Sequence, residues 1–331
     1  MKKYILLCCA LSIMMIITPL MSVQYVRVKN ADESNAADSV STDDSVIKVM
    51  ISENGYIESV SVKEYLIGSL AGEMSPTVHT EALKAQAVAC YTFAKYISLR
   101  DSEKLGGADI TDDSSVYQSY VKKEERQKKW GDNFDKNEKI MSAAVDAVLG
   151  EYLSYDGAPA MAAYFDTCSG QTESAANVWG KEVPYLVSVK STGDRLSPDY
   201  ETKKTVTEEE FESAFEKKGI TLSGDSDDWV GKPKRFDSGI VKNITVGSKE
   251  ISGSQFRSIL SLKSADFDVS HSSGKFTLTC RGNGHFVGMS QYGADYMARQ
   301  GSTYRDILAH YYPGTTLLKV NFQPVSDDNN R

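Results

Sequence analysis

Lys2 and Lys3 stand directly before an apolar run over residues 4–23. At 1.5 Å of rise per residue, about 20 such residues reach across a hydrocarbon core of about 30 Å. No other feature constrains the chain as strongly. Positive charge ahead of the run holds the amino terminus in the cytoplasm and sends everything after Val23 across the membrane. The run is longer than the roughly 7–15 apolar residues of a secretory leader, and no small-residue cleavage pattern follows it. Residues 1–29 are therefore expected to form one retained transmembrane helix, with Cys8 and Cys9 as apolar filler inside it. Residues 30–45, NADESNAADSVSTDDS, are acidic and small, too poor in apolar area to order themselves, and read as a flexible tether. The working part of the chain is then the extracytoplasmic domain 46–325, followed by a disordered tail over 326–331.

The chain has 331 residues and sets 37 Lys and Arg against 45 Asp and Glu, a net charge of -8. A nucleic-acid binder needs a basic face to displace counterions from phosphates, so this balance argues against such a partner. Five cysteines, two of them inside the apolar run and none in a CxxC pair, make neither a disulfide framework nor a structural zinc site.

Past the tether, residues 46–51 and 56–62 are β-branched runs joined at Glu53-Asn54-Gly55, and Asn-Gly accepts the positive φ of a hairpin turn. Helices are expected over 64–71 and 79–98. In the second, Leu83, Ala87, Tyr91, Ala94 and Ile97 recur at the spacing of one buried face. Glu73 falls in the turn between them. Asn137 predicts the N-cap of a helix to Leu149, stopped by Gly150, and 160–165 reads as a strand. Thr207 and Glu210 form a capping box for a short helix, while 240–280 alternates apolar runs with turns, as several strands do. Residues 191–239 lack clear periodicity and are read as an insertion or a lobe. The class is α+β, with mixed helices and mostly antiparallel strands.

Three segments carry the chemistry. Glu73 stands in Ala71-Gly72-Glu73-Met74-Ser75-Pro76, a Gly- and Pro-bounded junction of the kind that points a carboxylate into a cleft; the plainer reading is a surface glutamate. Residues 167–173 (TCSGQTE) and 282–294 (GNGHFVGMSQYGA) are dense in glycine, hydroxyl, amide and aromatic groups. Such groups suit sugar hydroxyls and acetamides, because aromatic faces stack on apolar sugar faces and amides supply directional donors and acceptors. The alternative is two tight turns. Cys168 and His285 invite a nucleophile–base reading, although nothing in the sequence brings them together. Cys280 and His285 stand five apart, and two ligands do not make a metal site. His79, His271 and His310 read as structural.

Together these segments resemble the stage II sporulation protein D family of peptidoglycan lytic transglycosylases. Gly72-Glu73-Met74 with Glu81-Ala82-Leu83-Lys84-Ala85-Gln86-Ala87-Val88-Ala89 resembles the catalytic-helix signature. Ser169-Gly170, Thr172-Glu173, Val178-Trp179 and Pro184-Tyr185-Leu186 resemble the central motif, and His285 to Ala294, Ile307-Leu308 and Tyr311-Tyr312-Pro313-Gly314 the carboxy-terminal one. The resemblance runs from about residue 46 to 320 and implies an α+β ectodomain with a substrate cleft between lobes. It implies that Glu73 is the catalytic acid and that Gln118, Tyr120, Ser169, Gly170, His285, Ser290, Gln291 and Tyr292 line a glycan cleft. The implied reaction cleaves the bond between N-acetylmuramic acid and N-acetylglucosamine in peptide-denuded strands, leaving 1,6-anhydro ends, during septal peptidoglycan degradation in engulfment. The implied partners are glycan strands, an N-acetylmuramoyl-L-alanine amidase and a membrane protein of the engulfment machinery. The place of action would be the cell membrane at the engulfing septum, on the mother-cell side.

Two departures stand out. Some relatives bind zinc through a Cys and a His five apart, where this chain has Thr111 and Val116, so neither metal nor other cofactor is expected. The helix signature usually continues Ala-Arg-Thr-Tyr-Ala, but here it reads Cys90-Tyr91-Thr92-Phe93-Ala94, which removes a charged donor expected near the cleft. That change keeps open a non-catalytic scaffold that binds glycan and recruits or stimulates an amidase. A cysteine peptidase using Cys168 is a third reading.

Overall fold

The computed structural model describes residues 45–322, so the expected anchor, nearly all of the tether, and the tail lie outside the described residues. β1 (Val46–Met50) and β2 (Ile57–Ser61) pair antiparallel with Met50 opposite Ile57. Their turn is closed by Gly55 at φ +73° and by Asn54 Oδ1, which accepts the Tyr56 N–H at 3.0 Å. α1 (Val62–Glu73) follows at once, capped by the Ser61 hydroxyl, which accepts the Glu64 N–H at 3.1 Å. α1 outlasts its expected end by two residues, so Glu73 closes the helix instead of sitting in a turn.

α2 (Thr80–Asp101) starts at His79, whose Nδ1 accepts the Glu81 N–H at 3.3 Å. Leu83, Ala87, Tyr91, Ala94 and Ile97 are buried as their spacing requires, but so are Ala82, Ala85, Val88, Ala89 and Cys90 on its other sides. α2 is therefore the central helix of a core and not a surface helix with one apolar stripe; its alanines let neighbours close in all round. β3 (Ile110–Thr111) adds to β1 in parallel. α3 (Lys123–Trp130) and α4 (Phe134–Val148) come next, joined by a 3-10 turn over Gly131–Asn133. That turn starts α4 early, so Asn133 stands at its N-terminus and Asn137, the expected cap, lies inside the helix. Fully buried Arg126 ties these elements together: Nη1 pairs with Glu64 at 2.9 Å and Nη2 with Glu138 at 2.7 Å.

β4 (Glu151–Tyr155) and β5 (Ala158–Pro159) form a hairpin. The strand expected over 160–165 is reduced to β6 (Tyr164–Phe165), because Ala160, Ala162 and Ala163 are buried by packing without ladder pairing. After α5 (Ala175–Trp179), residues 191–239 supply β7 (Glu201–Thr207), α6 (Glu208–Glu216), whose Thr207–Glu210 capping box forms as expected, and β8 (Lys234–Arg235). β9 (Val241–Val246) and β10 (Lys249–Ser252) follow. α7 (Gly253–Ile259) interrupts what read as strands only; its signal was the capping box of Ser252 and Gln255. β11 (Phe267–Ser272) and β12 (Lys275–Arg281) complete a three-stranded antiparallel sheet ordered β11-β12-β7. Phe211, Phe276 and Trp229 stack between this sheet and the helices, with Phe211 and Phe276 centroids 4.1 Å apart.

β13 (Met289–Ser290) then pairs with β6 in parallel, and α8 (Gln291–Arg299), α9 (Tyr304–Tyr311) and β14 (Thr316–Lys319) return the chain to the α2 core. The class is α+β, and most strand pairs are antiparallel.

Candidate active site

Gly68 and Gly72, one turn apart on α1, present bare backbone to the segment carrying Ser119, Tyr120 and Val121. A Cβ on Gly68 would lie 2.6 Å from the Tyr120 ring, and one on Gly72 would lie 2.5 Å from Ser119 Cβ. This close approach brings the Ser119 N–H to 2.9 Å from Glu73 Oε1. Glu73 Oε2 faces Gln291 Nε2 at 3.5 Å, delivered by α8, whose cap is the Ser290 hydroxyl accepting the Gly293 N–H at 3.1 Å. A cleft of about 460 Å³ opens at Glu73, lined by residues 72–77, Lys129, Trp130 and Asn137. These residues come from the end of α1 and the turn after it, from α3 and from α4.

Gln118 and Tyr120 pack against Tyr65 of α1. Gln118 is buried; its Nε2 donates to Cys90 O at 3.1 Å and to the Tyr65 hydroxyl, and its Oε1 accepts from the Tyr164 hydroxyl at 3.0 Å. Burial, reinforced by the Glu73 charge, pushes the Cys90 thiol up to about 12 and holds the Tyr65 and Tyr164 phenols well above their ordinary range. All three stay neutral. Tyr120 stacks on Tyr65 with centroids 5.6 Å apart and packs instead of facing solvent.

Ser169, Gly170 and Ser290 converge elsewhere, around Asp194. This fully buried carboxylate accepts from the Ser290 hydroxyl and, at 3.2 Å, from the Cys168 thiol. Desolvation holds the Asp194 carboxyl above its ordinary range. The Ser169 hydroxyl donates to Ser238 O at 2.8 Å. Gly170, at φ +104°, makes room for Arg195, whose Nε donates to Ser169 O at 3.0 Å. Tyr292 donates its hydroxyl to Leu196 O at 2.9 Å. His285 accepts the Val287 N–H at 3.1 Å and lies edge-on to Phe165 and Trp179; burial pushes its imidazole down to about 4, so it is neutral. Cys168 bonds to Asp194 and not to His285, and burial beside that carboxylate holds its thiol protonated. The nucleophile–base pair is not assembled.

Of the residues expected in the cleft, then, Glu73 lines it and Gln291 reaches Glu73; Gln118 and Tyr120 pack on Tyr65 of α1, Ser169, Gly170 and Ser290 gather near Asp194, and His285 and Tyr292 bond to the Val287 N–H and the Leu196 carbonyl instead. Sequence reasoning missed Ser119, Lys129, Trp130 and Asn137, whose convergence depends on tertiary packing, and Asp194, which no local pattern marks. Tyr91 is buried edge-on to Tyr152 and Phe322, both at 6.5 Å, on the side of α2 that meets β4. It is a core residue and does not line the cleft. Thr111 donates its hydroxyl to Met50 O at 2.9 Å, and Val116 is exposed. Among the described residues no group of three or more His, Cys, Asp and Glu is placed to hold a metal ion.

Residues 51–155 match the family described as Stage II sporulation protein, SpoIID. The chain is 36% identical over 300 residues to the stage II sporulation protein D of Bacillus subtilis (strain 168), spanning 90% of this chain and 86% of that protein. It is 37% identical over 277 residues to the stage II sporulation protein D of Bacillus amyloliquefaciens, spanning 83% and 79%. An amidase enhancer of Bacillus subtilis (strain 168) is 28% identical over 308 residues, 76% of this chain and 40% of that protein.

Proposed function

Because the chain belongs to the stage II sporulation protein D family, we propose that it is a lytic transglycosylase acting on peptidoglycan strands stripped of stem peptides. The observation that carries this reading is that Glu73 is the one carboxylate among the described residues lining its cleft. Glycoside hydrolysis ordinarily uses two flanking carboxyl groups, about 5–9.5 Å apart, one of them activating water or forming a covalent intermediate. A single acid suffices when the nucleophile is the substrate's own hydroxyl. Glu73 protonates the glycosidic oxygen, and the muramic 6-hydroxyl attacks the anomeric carbon of its own ring. The glycosidic bond breaks, and the Glu73 carboxylate accepts the hydroxyl proton. No water is consumed, and the products are a 1,6-anhydro end and a free 4-hydroxyl. The Ser119 N–H and the Gln291 amide fix the carboxylate, while Trp130 offers a ring face to a sugar and Asn137 an amide to an acetamido group.

In this reading residues 1–29 anchor the protein, and the domain works outside the cell membrane at the engulfing septum, on the mother-cell side. It follows an N-acetylmuramoyl-L-alanine amidase that strips the strands and acts with a membrane protein of the engulfment machinery. A second reading, a glycan-binding scaffold that recruits or stimulates the amidase, is favoured by the similarity to a relative named amidase enhancer. Mass spectrometry of strands treated with the purified full-length chain in detergent separates the two. Anhydro-muramic ends from wild type and none from Glu73→Gln support the enzyme; binding without cleavage supports the scaffold.

A further inference from the structure

We infer that Lys129 receives the free lactyl carboxylate of a stripped muramic acid and so selects strands from which the stem peptide has been removed. The inference rests on the transglycosylase reading. A stem peptide is joined to the lactyl group by an amide, so its removal converts a neutral group into an anion. That group hangs from carbon 3 of the ring whose carbon 1 is cut, and its carboxylate falls in the same cleft as the scissile bond. A cation beside the acid would therefore favour stripped strands over peptide-bearing ones.

Lys129 is the one cationic residue lining the Glu73 cleft. Its Nζ donates to Ala71 O at 2.8 Å, which fixes the ammonium two residues before Glu73 along α1. An ammonium has three N–H groups, and this bond uses one. Other basic residues of the same core have carboxylate partners: Lys63 with Asp146, Lys84 with Glu81, Lys122 with Glu58, and Arg126 with Glu64 and Glu138. Lys129 has no carboxylate partner among the described residues. A purely structural account is that Lys129 complements the C-terminal carbonyls of α1, whose last turn holds no basic residue. That role would affect folding but not choose between two substrates.

The test uses peptide-free strands with free lactyl carboxylates, and the same strands with these groups converted to methylamides. Wild-type chain is expected to cleave the carboxylate strands with kcat/KM about tenfold higher, the value of one charge-assisted contact. In Lys129→Met the ratio falls to about one, through a raised KM on the carboxylate strands, whereas Lys129→Arg keeps it. Lys129→Met retaining a tenfold ratio, or wild type showing none, overturns the assignment. Cleavage by a Glu73→Gln control, or no anhydro ends from wild type, instead overturns the transglycosylase reading. In that case the relative affinity of wild type and Lys129→Met for the two strand types decides the role of Lys129 by itself.

Discussion

Replacing Gly72 by alanine tests whether the backbone contact to Glu73 matters, because it strikes that contact while leaving the sequence of both partners, Ser119 and Glu73, unchanged. The φ of Gly72 is not positive, and alanine is the better helix former by about 1 kcal/mol, so the backbone itself accepts the change. The new Cβ, however, would lie 2.5 Å from Ser119 Cβ and 3.3 Å from Val121 Cγ2. Carbon atoms pack at about 3.5–4.0 Å, so the Ser119 segment has to retreat by roughly 1 Å or more. The Ser119 N–H then leaves Glu73 Oε1, now 2.9 Å away. Overpacking costs about 1–3 kcal/mol, and the helix gain offsets part of it, so the net loss of stability is at most about 2 kcal/mol. The lost hydrogen bond to a charged group is worth about 1.5–3 kcal/mol, which corresponds to roughly a 10- to 150-fold fall in the rate of anhydro-end formation. Ser119→Gly in the same chain removes the colliding carbon and is expected to restore most of the rate. A folded Gly72→Ala that cleaves at the wild-type rate, or a double variant that stays as slow as the single one, would refute the argument.

Arg126→Met leaves Glu64 and Glu138 without their buried cation and is expected to lower unfolding free energy by about 3–5 kcal/mol in denaturant titration; a loss under 1 kcal/mol would show that the clamp joining α1, α3 and α4 is dispensable. His285 titrates near 4 when folded against 6.5 in its ordinary state, so between those values the unfolded chain binds a proton that the folded chain does not. Stability is therefore expected to fall as pH drops from 6.5 toward 4, by up to about 3 kcal/mol, and a His285→Gln chain with the same slope would refute that source.

The hairpin at Asn54-Gly55, the capping box at Thr207 and Glu210 and the long α2 were legible because each depends on residues near one another in sequence. Asn137 was misread because the cap pattern cannot report that the 3-10 turn over Gly131–Asn133 starts the helix a turn earlier. α7 was missed because its core-facing Phe256 sits among β-branched runs that suit strands equally well. Glu73 and the Ser290-Gln291 cluster were visible as motifs, but their meeting was not: Gln291 lies 218 positions beyond Glu73, and its approach follows from β13 pairing with β6 and α8 packing on α2. Asp194 stayed silent because a buried carboxylate satisfied by Ser290 and Cys168 has no local pattern at all.

The position of Glu73 itself carries the last step. An acidic residue at the C-terminal end of a helix faces the negative end of the helix dipole, an arrangement that costs about 0.3–1 kcal/mol at an exposed site. α1 adds to that cost by having no basic residue in its last turn, and by placing Gly68 and Gly72 where alanine would favour the helix. Each of these departures from good helix design has a counterpart in the cleft. The two glycines admit the Ser119–Val121 segment, Ser119 supplies the N–H that the helix end cannot, and Lys129 comes from α3 to complement the Ala71 carbonyl. Three departures from helix preference within two turns, each answered from another element, are what is expected where a site is built into a helix, and they support the proposal that Glu73 is the acid.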